Sequence, residues 1–200
     1  MTDEGYIKYQ CHWQPVSAVD ETEIVELNQC RQELYQLGLI GVYSDGIGFG
    51  NLSRRLADGR QLLISGSQTG GIANLTPKHY AKVIDYNWQE NYVVCQGLVK
   101  ASSETLSHAA IYQANSQVNA VVHVHHLELW QQLLEQVPTT NPNCAYGTPE
   151  MAAEIIRLCQ QESTQQQGII VMSGHESGIL TFGHDLAEAK SILLNYSRSN

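Results

Sequence analysis

From Asp20 to about Gly38 the chain reads DETEIVELNQCRQELYQLG, with acids in the opening turn and apolar residues at Ile24, Leu27, Leu34 and Leu37. That spacing returns side chains to one face of a helix, and the closing glycine accepts the left-handed conformation that ends one. A different rhythm follows in GNLSRRLADGRQLLIS, two strand-like runs around Asp58-Gly59, a dipeptide that supplies the positive φ angles of a tight hairpin turn. Thr76-Pro77 reads as the N-cap and first position of a short helix, and AKVIDYNWQENYVVCQG as two more strands around a polar turn. Helical spacing returns from Ser102 to about Asn115, QVNAVVHVH alternates as a strand, and LELWQQLLEQV is again helical. Thr148-Pro149-Glu150 opens a helix that fades into the glutamine-rich CQQESTQQQ. GIIVMS and GILTFG form a strand pair around GHES, and Asp185 to Ser197 is the last helix. Adjacent strands joined by short turns with helices between them predict a largely antiparallel or mixed sheet covered by helices, and there is no internal repeat.

Composition narrows the partners. A chain of 200 residues, 42% hydrophobic, suffices for one domain with a sizeable core, so a single unit over residues 1–200 is expected. A formal charge of −9 with no basic cluster argues against a grip on nucleic acid, which needs Lys and Arg to neutralise phosphates. Cys11, Cys30, Cys95, Cys144 and Cys159 are odd in number and include no C-x-x-C pair, which suits reduced thiols, read as buried small hydrophobes, in the cytosol. The opening MTDEGYIKYQ lacks the basic and apolar regions of a signal peptide, and no apolar run approaches membrane-spanning length. A soluble, cytoplasmic protein that acts on small molecules is expected.

Candidate chemistry concentrates in NAVVHVHH, residues 119–126. Alternation along a strand puts His123 and His125 on one face, their Cα atoms roughly 6.5 Å apart, while His126 points away or opens the next helix. Two imidazoles so placed reach one ion at about 2.0–2.1 Å from each nitrogen, but they serve equally as the solvated end of a buried strand. Glu104, in SSETLSH, lies in the first turn of a helix that Ser102 or Ser103 can cap, and His108 shares its face one turn on. His175 occupies the connection between the last two strands, where a strand-pair tip can deliver a side chain to a site built elsewhere. Two loops add neutral donors. SGSQTGG, residues 65–71, offers backbone N–H groups and hydroxyls to an anion but lacks the ending of a Walker A motif. GIGFGN, residues 46–51, follows a helix rather than a strand, which speaks against a dinucleotide fingerprint. With the Ser102-Ser103 helix start they make three places where an acidic protein can hold a phosphate.

The order GNLSRR, LLISGSQTGG, SSE, AVVHVHH, YGTPEMA, GHESGILTFG resembles the class II aldolase/adducin family over about residues 20–197. The resemblance implies a three-layer α/β/α sandwich around a mostly antiparallel, mixed sheet, and commonly a homotetramer with sites at subunit interfaces. It implies His123, His125 and His175 as ligands of a divalent metal, usually Zn2+, and Glu104 as the catalytic acid/base or a further ligand. Asn51, Thr69, Gly70, Ser102 and Ser103 match positions that bind a substrate phosphate. The activity implied is that of a metal-dependent aldehyde-lyase, an aldolase with epimerase and dehydratase relatives, acting on a small sugar phosphate or related carbonyl compound through a metal-stabilised enediolate. Three departures stand out. His175 is followed by Glu176-Ser177 where the family has glycine, so a loop shift restores His175 or Glu176 takes its place. Only a short stretch separates His126 from YGT, without the loop that carries a tyrosine acid in the aldolases, Tyr146 being the nearest phenol. The C-terminal extension of several members is absent after Asn200. The alternative is a catalytically inactive assembly domain similar to the adducin head. A third reading, a cupin dioxygenase using Glu128, sits poorly with so many helices.

Overall fold

The computed structural model describes residues 5–57 and 59–198. In chain order its elements are β1 (Gln10–Pro15), α1 (Glu21–Gln36), β2 (Gly41–Val42), β3 (Gly48–Phe49), β4 (Asn51–Arg55), β5 (Leu62–Ser65), β6 (Tyr80–Asn87), β7 (Tyr92–Gly97) and α2 (Thr105–Ala114). Then follow β8 (Ala120–His125), α3 (Leu127–Leu133), α4 (Pro149–Cys159), α5 (Glu162–Gln167), β9 (Ile169–Val171), β10 (Gly178–Gly183) and α6 (Leu186–Arg198). Eight strands form one sheet in the order β1-β7-β6-β5-β4-β8-β10-β9, antiparallel throughout except for the β1–β7 edge pair. β2 and β3 make a separate small hairpin.

Strand alternation builds a core on each face. Val121, Leu62, Ile64 and Phe182 pack under α2 and α4, whereas Val122, Val124, Leu63 and Ile179 pack under α1, α3 and α6. Each such fully buried aliphatic side chain contributes roughly 1.5–3 kcal/mol, so a one-residue slip of β8 would invert both cores at once. The expected sandwich, mostly antiparallel with helices on both faces, is present.

Several elements differ in detail from their sequence patterns. Asp20 caps α1 with a full capping box, and Ile24, Leu27 and Leu34 are buried as expected. Leu37 is the C-cap residue, 58% exposed, because the helix ends before that position comes round to the core. The β4–β5 hairpin forms, but its connection is the wider segment Leu56–Gln61, with Leu56 donating to the Gln61 carbonyl; Gly59 has φ +79°, and Asp58 lies outside the described residues. The expected helix at Thr76-Pro77 is a single 3-10 turn, Pro77–His79. The helix beginning at Leu127 stops at Leu133, and Glu135 takes a positive φ of 61°. The glutamine-rich stretch adds a short helix, α5, closed by Gly168 in the left-handed region. All five cysteines are free, and Cys11 and Cys144 are only half-buried, packing at the margin of the core beneath α2 and α4.

Arg31, on α1, is 2% exposed because its guanidinium reaches the loop after β5, donating to the carbonyls of Ala73, Thr69 and Gly70 at 2.9, 3.2 and 2.7 Å. Gly70 is held against the β2–β3 hairpin so closely that a Cβ would lie 2.3 Å from the Gly41 carbonyl oxygen, and only glycine fits there. Replacing Arg31 by Met removes the guanidinium donor from the Ala73 and Gly70 carbonyls, the Thr69 carbonyl keeping the Ile72 N–H, and is expected to cost about 2–4 kcal/mol of stability, read by urea denaturation.

Candidate metal centre and anion cleft

β8 carries the centre because of its place in the sheet. His123 lies opposite Asn51 of β4 on one side and Leu180 of β10 on the other, and His125 lies opposite Gly178. Both histidines therefore project from the face shared with Val121, at 1% and 5% exposure. His175 comes from the β9–β10 connection, where its N–H donates to the Met172 carbonyl and its own carbonyl accepts from Gly178. Ser177 takes φ +69°, the conformation a glycine would ordinarily supply. His175 is brought to 4% exposure beside the strand pair, while Glu176 stays exposed. His126 is the N-cap of α3, accepting from the Leu129 N–H, and Glu128 is exposed on that helix.

The three imidazoles offer one nitrogen each within 4.8 Å of one another, the single group of metal-ligating type found among the described residues. The Nε2 atoms of His123 and His125 are 3.0 Å apart, close to the roughly 3.4 Å separation of two ligands at tetrahedral zinc distances. Nδ1 of His123 faces the Ile179 carbonyl at 3.2 Å, so it carries the proton and Nε2 presents its lone pair inward. Burial, and then the neighbouring imidazoles, hold His123 well below the usual histidine range; burial and His175 do the same to His125. Neutral, converging, buried imidazoles are the donor set a divalent cation needs, and the residues present fit one.

Glu104 lies beside them, 2% exposed, with Oε1 3.7 Å from Nδ1 of His175 and Oε2 accepting from the Ser107 hydroxyl at 2.6 Å. It occupies the N-cap position of α2 rather than the first turn expected from sequence. The Ser102 carbonyl accepts from both the N–H and the hydroxyl of Thr105, closing a turn ahead of the helix. His108 is fully buried in a core network with Ser53, whose hydroxyl also meets Tyr112, and takes no place at the centre.

The anion-binding candidates converge as well. Asn51, Thr69, Gly70, Ser102 and Ser103 line one small polar cleft together with Glu104 and His123. Thr69 donates to the Gly66 carbonyl, which shapes the loop, and Asn51 buries a carbonyl oxygen that has no hydrogen-bond partner. On the other side of the histidines lies a cavity of about 720 Å³ lined by Lys8, Tyr43, Phe49, Tyr146, His125 and His175 among others. Tyr146 stacks on His175 with ring centres 4.6 Å apart, and Lys8 Nζ sits 3.8 Å above the Tyr146 ring. Sequence motifs gave no sign of Lys8, Tyr43 or Arg31, each of which meets a partner far away in the chain, and GIGFGN pointed to backbone donors rather than to the Phe49 ring.

The chain is thus a three-layer sandwich with a buried three-histidine cluster, able to hold a metal ion, between a polar cleft and a larger cavity. The family to which it belongs is shown by sequence. Residues 25–199 match the model of the class II aldolase and adducin N-terminal domain family. Among solved structures it is similar to an L-fuculose 1-phosphate aldolase (19% identity over 90% of this chain and 84% of the other, TM-score 0.67). It is also similar to YgbL of Escherichia coli (21%, 88% and 84%, TM-score 0.64) and to the L-fuculose-1-phosphate aldolase of Thermus thermophilus (22%, 85% and 83%, TM-score 0.58). No curated protein matches it in sequence. At these identities the solved structures establish the fold. No helix among the described residues is long and apolar enough to cross a membrane.

Burial alone holds His108 down to about 3 against an ordinary 6.5. In that window the unfolded chain binds a proton that the folded chain does not, so stability falls as the pH drops from about 6.5 toward 3, at up to about 1.4 kcal/mol per pH unit. Urea denaturation of metal-free protein at about pH 6 and about pH 5 is expected to give a slope shallower by about 1 kcal/mol per unit in His108→Gln.

Proposed function

We propose that the protein is a metal-dependent lyase of the aldolase type, with zinc as its ion, acting on a small sugar phosphate or related hydroxy-carbonyl compound. The observation that carries this reading is the convergence of His123, His125 and His175 within 4.8 Å, with the Glu104 carboxylate 3.7 Å from His175. His123, His125 and His175 would hold the ion, which when bound supplies Lewis acidity toward the substrate's carbonyl and hydroxyl oxygens. Glu104 takes the proton that leaves the substrate, or returns it, at Oε1, because the Ser107 hydroxyl engages Oε2. Asn51, Thr69, Gly70, Ser102 and Ser103 receive the phosphate through neutral donors, with the Arg31 guanidinium behind the Thr69-Gly70 carbonyls fixing the loop. Tyr146, stacked on His175 at the larger cavity, is the candidate to stand in for the absent loop tyrosine.

Three buried, converging imidazoles with a buried carboxylate beside them are the donor set of a metal site, and that weighs against the inactive adducin-like alternative.

Elemental analysis of protein purified without a tag or added metal is expected to find about one zinc per chain. His123→Ala is expected to lower zinc affinity by a hundredfold or more, roughly the loss of one direct ligand, and unchanged affinity would overturn the site. Glu104→Gln is expected to retain the metal while turnover of a ketose phosphate falls about 10²–10⁴-fold. A variant that keeps full turnover would remove Glu104 from the proton-transfer role.

A further inference from the structure

Tyr43 follows β2, and its hydroxyl lies 2.6 Å from Nδ1 of His125. Phe49 of β3 lies against the same imidazole, ring centres 5.5 Å apart at 25°, and against the Tyr43 ring at 4.5 Å. The small β2–β3 hairpin thus meets His125 through a hydrogen bond and a stacked ring together.

The proton count across the histidine pair shows why a hydroxyl stands there. His123 donates from Nδ1 to the Ile179 carbonyl, so its Nε2 is a lone pair facing Nε2 of His125 at 3.0 Å. Two lone pairs at that distance repel. The neutral pair without an ion therefore places the proton of His125 on Nε2, leaving Nδ1 to accept from Tyr43. Were Nε2 of His125 to serve an ion, its proton would sit on Nδ1 and the Tyr43 oxygen would accept it. A phenol hydroxyl does both by turning about its C–O bond, whereas a backbone carbonyl, the partner His123 has, does only the second.

Resting on the metal-dependent reading above, we propose that Tyr43 is a positioning residue of the metal centre, holding the His125 ring in one orientation while its tautomer changes as the ion enters. Tyr43 acts on metal affinity through His125 alone.

The test is a double-mutant cycle on zinc affinity, measured by competition with a chromophoric chelator on the full chain. Tyr43→Phe keeps the ring packing and deletes only the hydroxyl; zinc binding is expected to weaken about 10–100-fold. In a His125→Ala background the same change is expected to have less than about a twofold effect, because the orienting bond then has no target. The metal-free unfolding midpoint moves little, as Tyr43 is 37% exposed. Wild-type zinc affinity in Tyr43→Phe overturns the proposal and leaves the metal-dependent reading standing. An equal loss in both backgrounds also overturns it, since that reports a general disturbance of the hairpin. A wild-type protein that binds no zinc brings down the metal-dependent reading and this inference with it. Tyr43→Met, with the same expectations, serves if Tyr43→Phe does not fold.

Discussion

The register of β8 is the constraint on which the rest depends. Val122 and Val124 commit one face of the strand to the α1, α3 and α6 layer, and that commitment leaves His123 and His125 on the other face. On that face Val121 closes the hydrophobic layer beneath α2 and α4, and polarity begins one pair further along, where His123 meets Asn51. Because β8 is flanked by β4 and β10, His123 is fixed by ladders on both sides, while His125 is fixed by β10 on one side and by its N–H to the Leu39 carbonyl. Preorganisation of this kind lowers the cost of drawing neutral imidazoles around a cation, and burial has already removed competing protons from His123 and His125. The same two ladders carry the centre's neighbours: β4 brings Asn51 and the polar cleft, while β10 and its connection to β9 bring His175.

In the proposed function the polar cleft answers the problem of holding a phosphate in a chain with a net charge of −9. None of the residues lining it is Lys or Arg. Positive charge enters from behind instead: Arg31 spends its donors on the carbonyls of Ala73, Thr69 and Gly70, which stiffens the loop. Gly70 completes the arrangement, since its contact with Gly41 and Phe49 joins the loop to the β2–β3 hairpin. Loop, hairpin and His125 therefore form a continuous set of contacts from the cleft to the histidine cluster.

Much of this was legible in the sequence where physics is local. The alternation of AVVHVH, the capping residue and periodicity of α1, and the strand pair that carries His175 each follow from neighbours in the chain. The elements that escaped lack a local signal. β1 reads KYQCHWQP in its surroundings because an edge strand with exposed side chains shows no apolar alternation. Arg31 looks like an ordinary surface residue of a helix until a loop about forty positions away supplies its acceptors. Glu104 was recognisable as a candidate, yet its place one position ahead of α2 depends on the Ser102 carbonyl accepting twice from Thr105, a competition between turn and helix that propensity does not resolve.

In the proposed function the β2–β3 hairpin is the clearest case of a role that its local sequence does not announce. It has two residues per strand and no place in the main sheet, so its own pairing cannot hold it rigid. Its rigidity comes from what it touches: Gly70 against its backbone, Phe49 on the His125 ring, and the Tyr43 hydroxyl on Nδ1. In the proposed function an ion at the histidines would strengthen the last of these contacts, and an anion in the cleft would strengthen the first. The hairpin would then couple occupancy of the cleft to the orientation of a ligand, with the phenol of Tyr43 at the point where the two meet.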